Sequence, residues 1–304
     1  MQDTPTSQIE VGVHTITNMK QPSPYPYWFI APAAMVYAVL FLVPTAASFY
    51  FCFTHWDLDT AQFIGLDNFR QFLSEPSLTG GLVNTLIYAF LTSGAKTVLG
   101  LLLAVYLTSK IFGQGLMRNV MFFPTLVSTI GVGITFSALM HPTRGVFNVA
   151  LGALGIDGPG WLVDPHLALF SIAMVDVWKG VGLATLIYIA GLASISPEYY
   201  DAARVDGAKP WDSFWNITVP LVRPATITVI ILSLIGGLRS FDVIWAMTRG
   251  GPGFSSDVLA SVIYKQYQAG FYGLATAGNV MLFLLIAAII LPLTFWFNAN
   301  EVEQ

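Results

Sequence analysis

Six long apolar stretches, separated by short polar segments, dominate the sequence. An α-helix needs about 20 residues to cross the hydrocarbon core of a bilayer, and each stretch is long enough to do so. Because lipid offers backbone amides no hydrogen-bonding partner, each stretch is predicted to be helical. We therefore predict an all-α polytopic membrane protein whose six transmembrane helices cover residues 28–53, 82–109, 119–140, 167–192, 221–247 and 271–297.

Three prolines, Pro44, Pro124 and Pro292, lie inside these predicted helices. Proline removes one backbone hydrogen bond, and within a membrane helix the usual result is a kink. We expect these residues to kink their helices without ending them.

The segments outside the apolar stretches complete the domain organisation. Residues 1–27 are polar and Pro-rich, and they lack the short apolar core of a cleavable signal peptide. We predict a flexible tail at 1–27, a membrane domain at 28–297 and a short tail at 298–304. Lys and Arg are slightly more frequent on the side of the termini, and this small bias favours both termini in the cytoplasm.

The composition agrees with a membrane protein and excludes several other classes. Hydrophobic residues make up 55% of the chain and charged residues 10%, against about 25% charged in a soluble domain. A net charge of −4 provides no basic surface for nucleic acid. The single cysteine, Cys52, rules out an internal disulfide, and the four histidines lack metal-ligand spacing. No metal site is predicted.

Motifs for catalysis are also missing. The run Gly94-Ala95-Lys96-Thr97 has the end of a Walker A motif, but Phe90 stands where its first glycine belongs. The nucleophile-elbow pattern G-x-S-x-G does not occur. We predict no catalytic residues and no cofactor bound by this chain, which cannot bind and hydrolyse ATP through a Walker A loop.

The polar segment at residues 196–220 interrupts the apolar pattern between the fourth and fifth predicted helices. Ser196 is suited to N-cap a short helix, Pro197 to its first position, and Gly207 to its end. A second amphipathic piece follows, in which Trp211, Phe214 and Trp215 recur at helical spacing.

This segment resembles the coupling loop of binding-protein-dependent ABC transporter permeases. The family pattern is E-A-A-x3-G-x9-I-x-L-P, and this chain has Asp201-Ala202-Ala203, Gly207 and Ile217-Thr218-Val219-Pro220 at the same spacings. Asp201 replaces Glu and Val219 replaces Leu, and both changes keep the character of the side chain. A loop shaped only by solvation is the alternative.

The resemblance implies a type I ABC importer permease fold, with six transmembrane helices and a cytoplasmic coupling helix that docks on a separate ATPase. The residues that it implies for this contact are Glu198, Asp201, Ala202, Ala203, Asp206, Gly207 and Pro220. Because the ATPase is cytoplasmic, both termini are then expected in the cytoplasm.

Shorter motifs are similar to the sugar subfamily of these permeases, of the maltose permease F type. They are F-I-G-L-D-N-F at residues 63–69, Asn84-Thr85, Gly250-Gly251-Pro252, and Phe271-Tyr272-Gly273 with Ala275 and Ala277. Each is weak alone, but they occur in the family's order across residues 28–297.

In maltose-type members, sugar contacts come from the helix before the coupling loop and from the helix after it. Small residues at these positions leave room for a ligand, and Ser hydroxyls can bond sugar hydroxyls. Gly and Ser also permit close helix packing, and this alternative stays open. Carried onto this chain, the implied substrate pathway comprises Lys179, Gly180, Leu183, Ser233, Gly236, Gly237, Arg239, Ser240 and Asp242.

Charged residues within the predicted helices are costly and mark a pathway by default. Arg239 and Asp242 are three residues apart on one face of the fifth predicted helix, where they are placed to form an ion pair. For Asp242, lining a pathway and locking helices together are both open. Lys96 is interpreted as a packing residue, and Asp176 and Lys179 as lying near the outer end of the fourth helix.

The sequence is accordingly identified as the permease subunit of a carbohydrate ABC importer in a bacterial cytoplasmic (inner) membrane. The resemblance implies three kinds of partner: a second permease of the maltose permease G type, an ATPase homodimer or heterodimer that binds ATP and Mg, and an extracytoplasmic sugar-binding protein. Alternatives are an ion-coupled secondary transporter that uses Asp176 or Asp242, an importer of glycerol 3-phosphate or a polyol with Arg239 as phosphate partner, and a membrane-embedded enzyme acting on lipid.

Overall fold

The structure is a computed structural model that describes residues 27–109 and 113–299. The predicted N-terminal tail, apart from Tyr27, and residues 300–304 of the predicted C-terminal tail lie outside the described residues. The chain divides into two compact units after Ala46.

The first apolar stretch is a single helical run that changes its winding. A 3₁₀ turn at Tyr27–Ile30 leads into α1 (Ala31–Tyr37), a π-helical segment at Ala38–Leu42 and α2 (Val43–Phe51). Pro44 lies within α2 and does not end it.

A small β-hairpin, which the apolar pattern did not predict, follows α2. Strands β1 (Thr54–Trp56) and β2 (Ala61–Phe63) pair antiparallel. The hairpin is fixed by Asn68, because its side-chain amide donates to the Cys52 carbonyl at 3.0 Å and to the Thr54 carbonyl at 2.9 Å. The asparagine of the F-I-G-L-D-N-F motif therefore has a structural role.

Three long helices confirm the second, fourth and sixth predicted spans. After the short α3 (Asp67–Ser74), α4 runs from Pro76 to Thr108 and begins six residues before the predicted start at 82. The other two long helices are α8 (Ala168–Ala193) and α15 (Tyr272–Ala299), and Pro292 lies inside α15 without ending it.

The third predicted span is broken, and the prediction of one continuous helix there is wrong. Helices α5 (Gln114–Leu126) and α6 (Thr129–Leu139) meet at an angle of 98°. Pro124 itself stays within α5; the chain turns at the residues after it. Ser128 caps the new helix, since its side chain accepts a hydrogen bond from the Gly131 amide at 3.5 Å.

The prediction of one continuous helix over the fifth span, residues 221–247, is also wrong. Helix α12 (Arg223–Leu238) ends before Arg239, and a separate helix begins at Asp242. Before α12, the loop contains a short helical run that is bent by 66° against it. The remaining short helices in this half are α7 (Val146–Ala153), α9 (Pro197–Val205), α10 (Pro210–Ser213), α11 (Val219–Leu221), α13 (Asp242–Met247) and α14 (Leu259–Gln268).

The Gly250-Gly251-Pro252 turn packs against a buried carboxylate. Asp257 is fully buried, and it accepts hydrogen bonds from Lys265 at 2.6 Å and from Ser261 at 2.8 Å. Burial raises the pKa of the Asp257 carboxyl above its ordinary value, while these two hydrogen bonds oppose the shift. Gly250 has φ +86°, and a Cβ there would collide with this carboxylate. Asn84 ties the turn to α4 by donating to the Asp257 carbonyl at 2.8 Å.

The helices around the bundle centre approach one another closely at glycine. A Cβ at Gly182 of α8 would collide with the backbone carbonyl of Met121 in α5, and a Cβ at Gly100 of α4 would lie 2.9 Å from the Ala184 side chain. Backbone atoms cannot move aside as a flexible side chain can. The position of α5 on α8 therefore depends on Gly182.

We expect Gly182→Ala to destabilise the protein by about 1–3 kcal/mol, because the added methyl group overpacks the contact between α5 and α8. The measurement is the thermal unfolding midpoint of the detergent-purified protein. Gly94→Ala in α4 is the matched control, since a Cβ there meets nothing within 4 Å. Equal midpoints for both variants would contradict the proposed packing.

Candidate functional site

The short helix α9 has the ends that the sequence predicted. The Ser196 side chain accepts a hydrogen bond from the Glu198 amide at 3.4 Å, which places Ser196 at the N-cap. Gly207 has φ +78°, a conformation that glycine adopts at low cost, and it follows the C-cap residue Asp206.

Most of the residues implied for ATPase coupling are exposed. Asp201 and Arg204 pair across one turn at 2.6 Å on the surface of α9. Val205, an apolar residue, is 88% exposed. The exposed members of the predicted set are Glu198, Asp201, Ala202, Asp206, Gly207 and Pro220, and Ala203 is half-buried.

The coupling segment is attached to the membrane helices through its second half. The Tyr200 hydroxyl of α9 hydrogen-bonds to the hydroxyl of Thr218 at 3.1 Å, and Thr218 is buried just before α12. The rings of Trp211, Phe214 and Trp215 pack on one another, with centroids 5.2–5.8 Å apart. These rings face α4 across an apolar groove of about 600 Å³.

Most of the predicted pathway residues line two neighbouring clefts. The first cleft, of about 110 Å³, is lined by Lys96 of α4, Gly180 and Leu183 of α8, and Ser233 and Gly236 of α12. These side chains come from three different helices, so the tertiary structure brings them together.

The second cleft, of about 280 Å³, shares Gly236 with the first. It is more polar, and both helix breaks contribute to it. Thr129 follows the break between α5 and α6, and Arg239, Ser240, Phe241 and Asp242 belong to the break between α12 and α13.

Two predicted pathway residues lie outside these linings. Gly237 is buried against α4, where a Cβ would lie 2.7 Å from the Cα of Ala89, so it serves helix packing. Lys179 directs its ammonium group to the Thr125 carbonyl at 3.5 Å, and its own carbonyl accepts from the Thr125 hydroxyl at 3.0 Å. This contact joins α8 to α5.

The expected ion pair between Arg239 and Asp242 does not form in the described part of the chain. The helix break between them removes the i, i+3 geometry on which the prediction depended. Both side chains are exposed at the second cleft instead.

Sequence reasoning singled out Lys96 and Asp176 but did not predict that they pair. The ammonium group of Lys96 in α4 lies 2.7 Å from Oδ2 of Asp176 in α8. Lys96 lines the first cleft and Asp176 the second, so neither the packing interpretation of Lys96 nor the terminal placement of Asp176 describes their setting in full. Their charge within apolar segments marked both as functional positions, but a contact between residues 80 positions apart leaves no local signal in the sequence.

Comparisons with known proteins match nearly the whole chain. The family model described as "Binding-protein-dependent transport system inner membrane component" matches residues 96–299, which include the coupling segment and both clefts. The trehalose/maltose transport system permease protein MalF of Thermococcus litoralis is 33% identical over 263 residues, covering 86% of this chain and 89% of that protein. The arabinooligosaccharides transport system permease protein AraP of Bacillus subtilis is 32% identical over 87% of this chain and 86% of its own length.

The fold is found in a solved structure. A chain in the crystal structure of a bacterial ABC transporter involved in the import of the acidic polysaccharide alginate superposes with a TM-score of 0.81 at 22% sequence identity, covering 90% of this chain and 94% of that chain. This similarity confirms the type I permease fold. The chain belongs to the family of binding-protein-dependent transport system inner membrane components, and it is a transmembrane permease subunit of an ABC importer, in which ATP hydrolysis belongs to a separate subunit.

Proposed function

We propose that the chain forms half of the membrane path for a carbohydrate that a substrate-binding protein delivers. The observation that carries the proposal is the exposed coupling helix α9, which is joined through Tyr200 and Thr218 to the helix that lines both clefts. ATP binding by a partner would move α9, and α12 would change the clefts with it. The names of the relatives, which include trehalose/maltose and arabinooligosaccharide systems, support a sugar.

The partners in this proposal are a second permease of the maltose permease G type and an ATPase homodimer or heterodimer that holds ATP and Mg. An extracytoplasmic sugar-binding protein docks on the opposite side. Residues 28–297 form the permease domain in the bacterial cytoplasmic membrane, with the coupling loop 196–220 and both termini in the cytoplasm. The coupling residues are Glu198, Asp201, Ala202, Ala203, Asp206, Gly207 and Pro220.

An importer of glycerol 3-phosphate or a polyol is a second candidate. Arg239 is exposed at the second cleft and forms no ion pair with any described residue. Its guanidinium group beside Ser240 has the donors that a phosphate group requires.

We expect Asp201→Lys to release the ATPase while the two permeases remain paired. The change reverses the charge of an exposed coupling residue and leaves Arg204 without its partner. Two adjacent positive charges then replace an ion pair on the surface that the ATPase is proposed to contact. The measurement is co-purification in mild detergent from the native host, with mass spectrometry of the bound proteins. Asp59→Lys, in the exposed hairpin turn, is the matched charge-reversal control and should retain every partner. Recovery of the wild-type chain alone or as a homodimer would remove the basis of the proposal.

Sugar uptake into proteoliposomes that contain the whole complex should require ATP on the ATPase side and should persist when ion gradients are collapsed. The reason is that nucleotide binding, and not a protonated carboxylate, biases the coupling helix. Initial rates of labelled-sugar uptake with and without ATP measure this directly. Uptake driven by an ion gradient without ATP would favour the secondary-transporter alternative.

Cysteines placed at Gly236 and Ser240 should react with a water-soluble thiol reagent, because both residues line the clefts. A cysteine at Leu234, which is 3% exposed and lies on α12 with Gly236, should react at least tenfold more slowly. Labelling rates are measured in a Cys52→Ala background, since Cys52 is the only native cysteine. Rapid labelling at position 234 would show that the clefts are placed wrongly.

A further inference from the structure

The Lys96–Asp176 pair is more than a bridge between α4 and α8. The side chains of Lys96 and Asp176 are 9% and 21% exposed, and each borders a different cleft. Taking two charges out of water is costly unless further hydrogen bonds compensate for the lost hydration. Charged groups at such a depth in a membrane protein mark a pathway by default.

The pair has hydrogen-bonding capacity that the described residues leave unused. An ammonium group has three N–H donors, and that of Lys96 forms one hydrogen bond, to Asp176 Oδ2. The Tyr88 hydroxyl is fully buried and interacts with Asp176 and with Ser240. Donors and acceptors are therefore concentrated at the junction of the two clefts.

Two glycines near the pair, Gly180 and Gly236, have different surroundings. A Cβ at Gly180 would lie 2.8 Å from Cε of Lys96, so the lysine side chain packs directly against this glycine on its way to Asp176. A Cβ at Gly236, on the wall that the clefts share, meets nothing within 4 Å. The Lys96 side chain is therefore packed on the α8 side, while the cleft wall at Gly236 of α12 has free space beside it.

The charges that line the clefts balance one another. Lys96 and Arg239 contribute two positive charges, and Asp176 and Asp242 contribute two negative charges. Such a lining has no net attraction for an anion. It offers donors and acceptors together, which is what a hydroxyl group requires, because a hydroxyl both donates and accepts.

We propose that Lys96 and Asp176 form a substrate-contacting subsite that binds hydroxyl groups of a neutral sugar and selects it over an anionic one. This inference rests on the proposed function, since it assigns the substrate class and two further specificity residues to the same path. The subsite lies between the two clefts, because Lys96 lines the first and Asp176 the second.

The test uses the whole complex in proteoliposomes with its binding protein at saturation. Uptake and ATP hydrolysis are measured in the same vesicles. The probes are labelled trehalose, maltose and arabino-oligosaccharides as neutral sugars, and glycerol 3-phosphate as the anion. The wild-type complex should take up at least one neutral sugar and discriminate against the anion.

The double variant Lys96→Met/Asp176→Leu keeps the volume of the pair without its charges or hydrogen bonds. Apolar replacement of a buried ion pair is often neutral or stabilising, so the complex should assemble normally. We expect neutral-sugar uptake to fall at least tenfold while binding-protein-stimulated ATP hydrolysis stays within twofold of wild type. Asp176→Asn, which leaves the lysine charge uncompensated, should raise glycerol 3-phosphate uptake relative to neutral sugar.

Arg70→Gln is the control, because it removes the exposed ion pair with Asp67 outside the clefts, and it should change neither rate. A parallel loss of uptake and ATP hydrolysis in the double variant would assign the pair a structural role only and overturn the proposal. Unchanged uptake, or no uptake of any neutral sugar by the wild-type complex, would overturn it as well. Uptake without ATP dependence would instead reject the proposed importer function.

Discussion

The need of every backbone amide for a hydrogen-bonding partner within lipid governs this structure. It makes the apolar stretches helical, and it restricts irregular backbone to places where protein or a water-filled space surrounds it. The chain leaves helical geometry after Leu126 and again after Leu238, inside two of its predicted spans. Both breaks lead to the same cleft, through Thr129 on one side and Arg239 to Asp242 on the other. The two irregular segments therefore lie where polar backbone groups can be hydrated or can contact a substrate.

Glycine contacts hold the helices around this cleft. Gly237 brings α12 against α4, Gly182 brings α8 against α5, and Gly180 admits the Lys96 side chain. Side chains at Gly237 and Gly182 would push the helices apart, because both face the backbone of a neighbouring helix. The adjacent residue Gly236 has the opposite role, since it faces open space. Gly237 thus serves packing and the neighbouring Gly236 serves access, because the two residues face different sides of α12.

The coupling segment sits between α8 and α12, which both contribute to the clefts. Its first helix exposes charged and apolar side chains, and its aromatic second half faces α4 across an apolar groove. The Tyr200–Thr218 hydrogen bond joins the two halves. In the proposed function this arrangement provides a short physical connection from a cytoplasmic contact to the substrate path, because the segment continues directly into α12.

The sequence alone determined the class of the protein, the six apolar stretches and the ends of the coupling helix. Each of these depends on local properties: the length of an apolar run, the Ser196 cap, and the conformational freedom of Gly207. Tertiary structure decided the two helix breaks, the packing role of Gly237 and the pairing of Lys96 with Asp176. The last is a contact between residues 80 positions apart. Apolar periodicity cannot predict such features, because a break and a continuous helix have the same hydrophobicity, and which wall a residue faces depends on its neighbours in space.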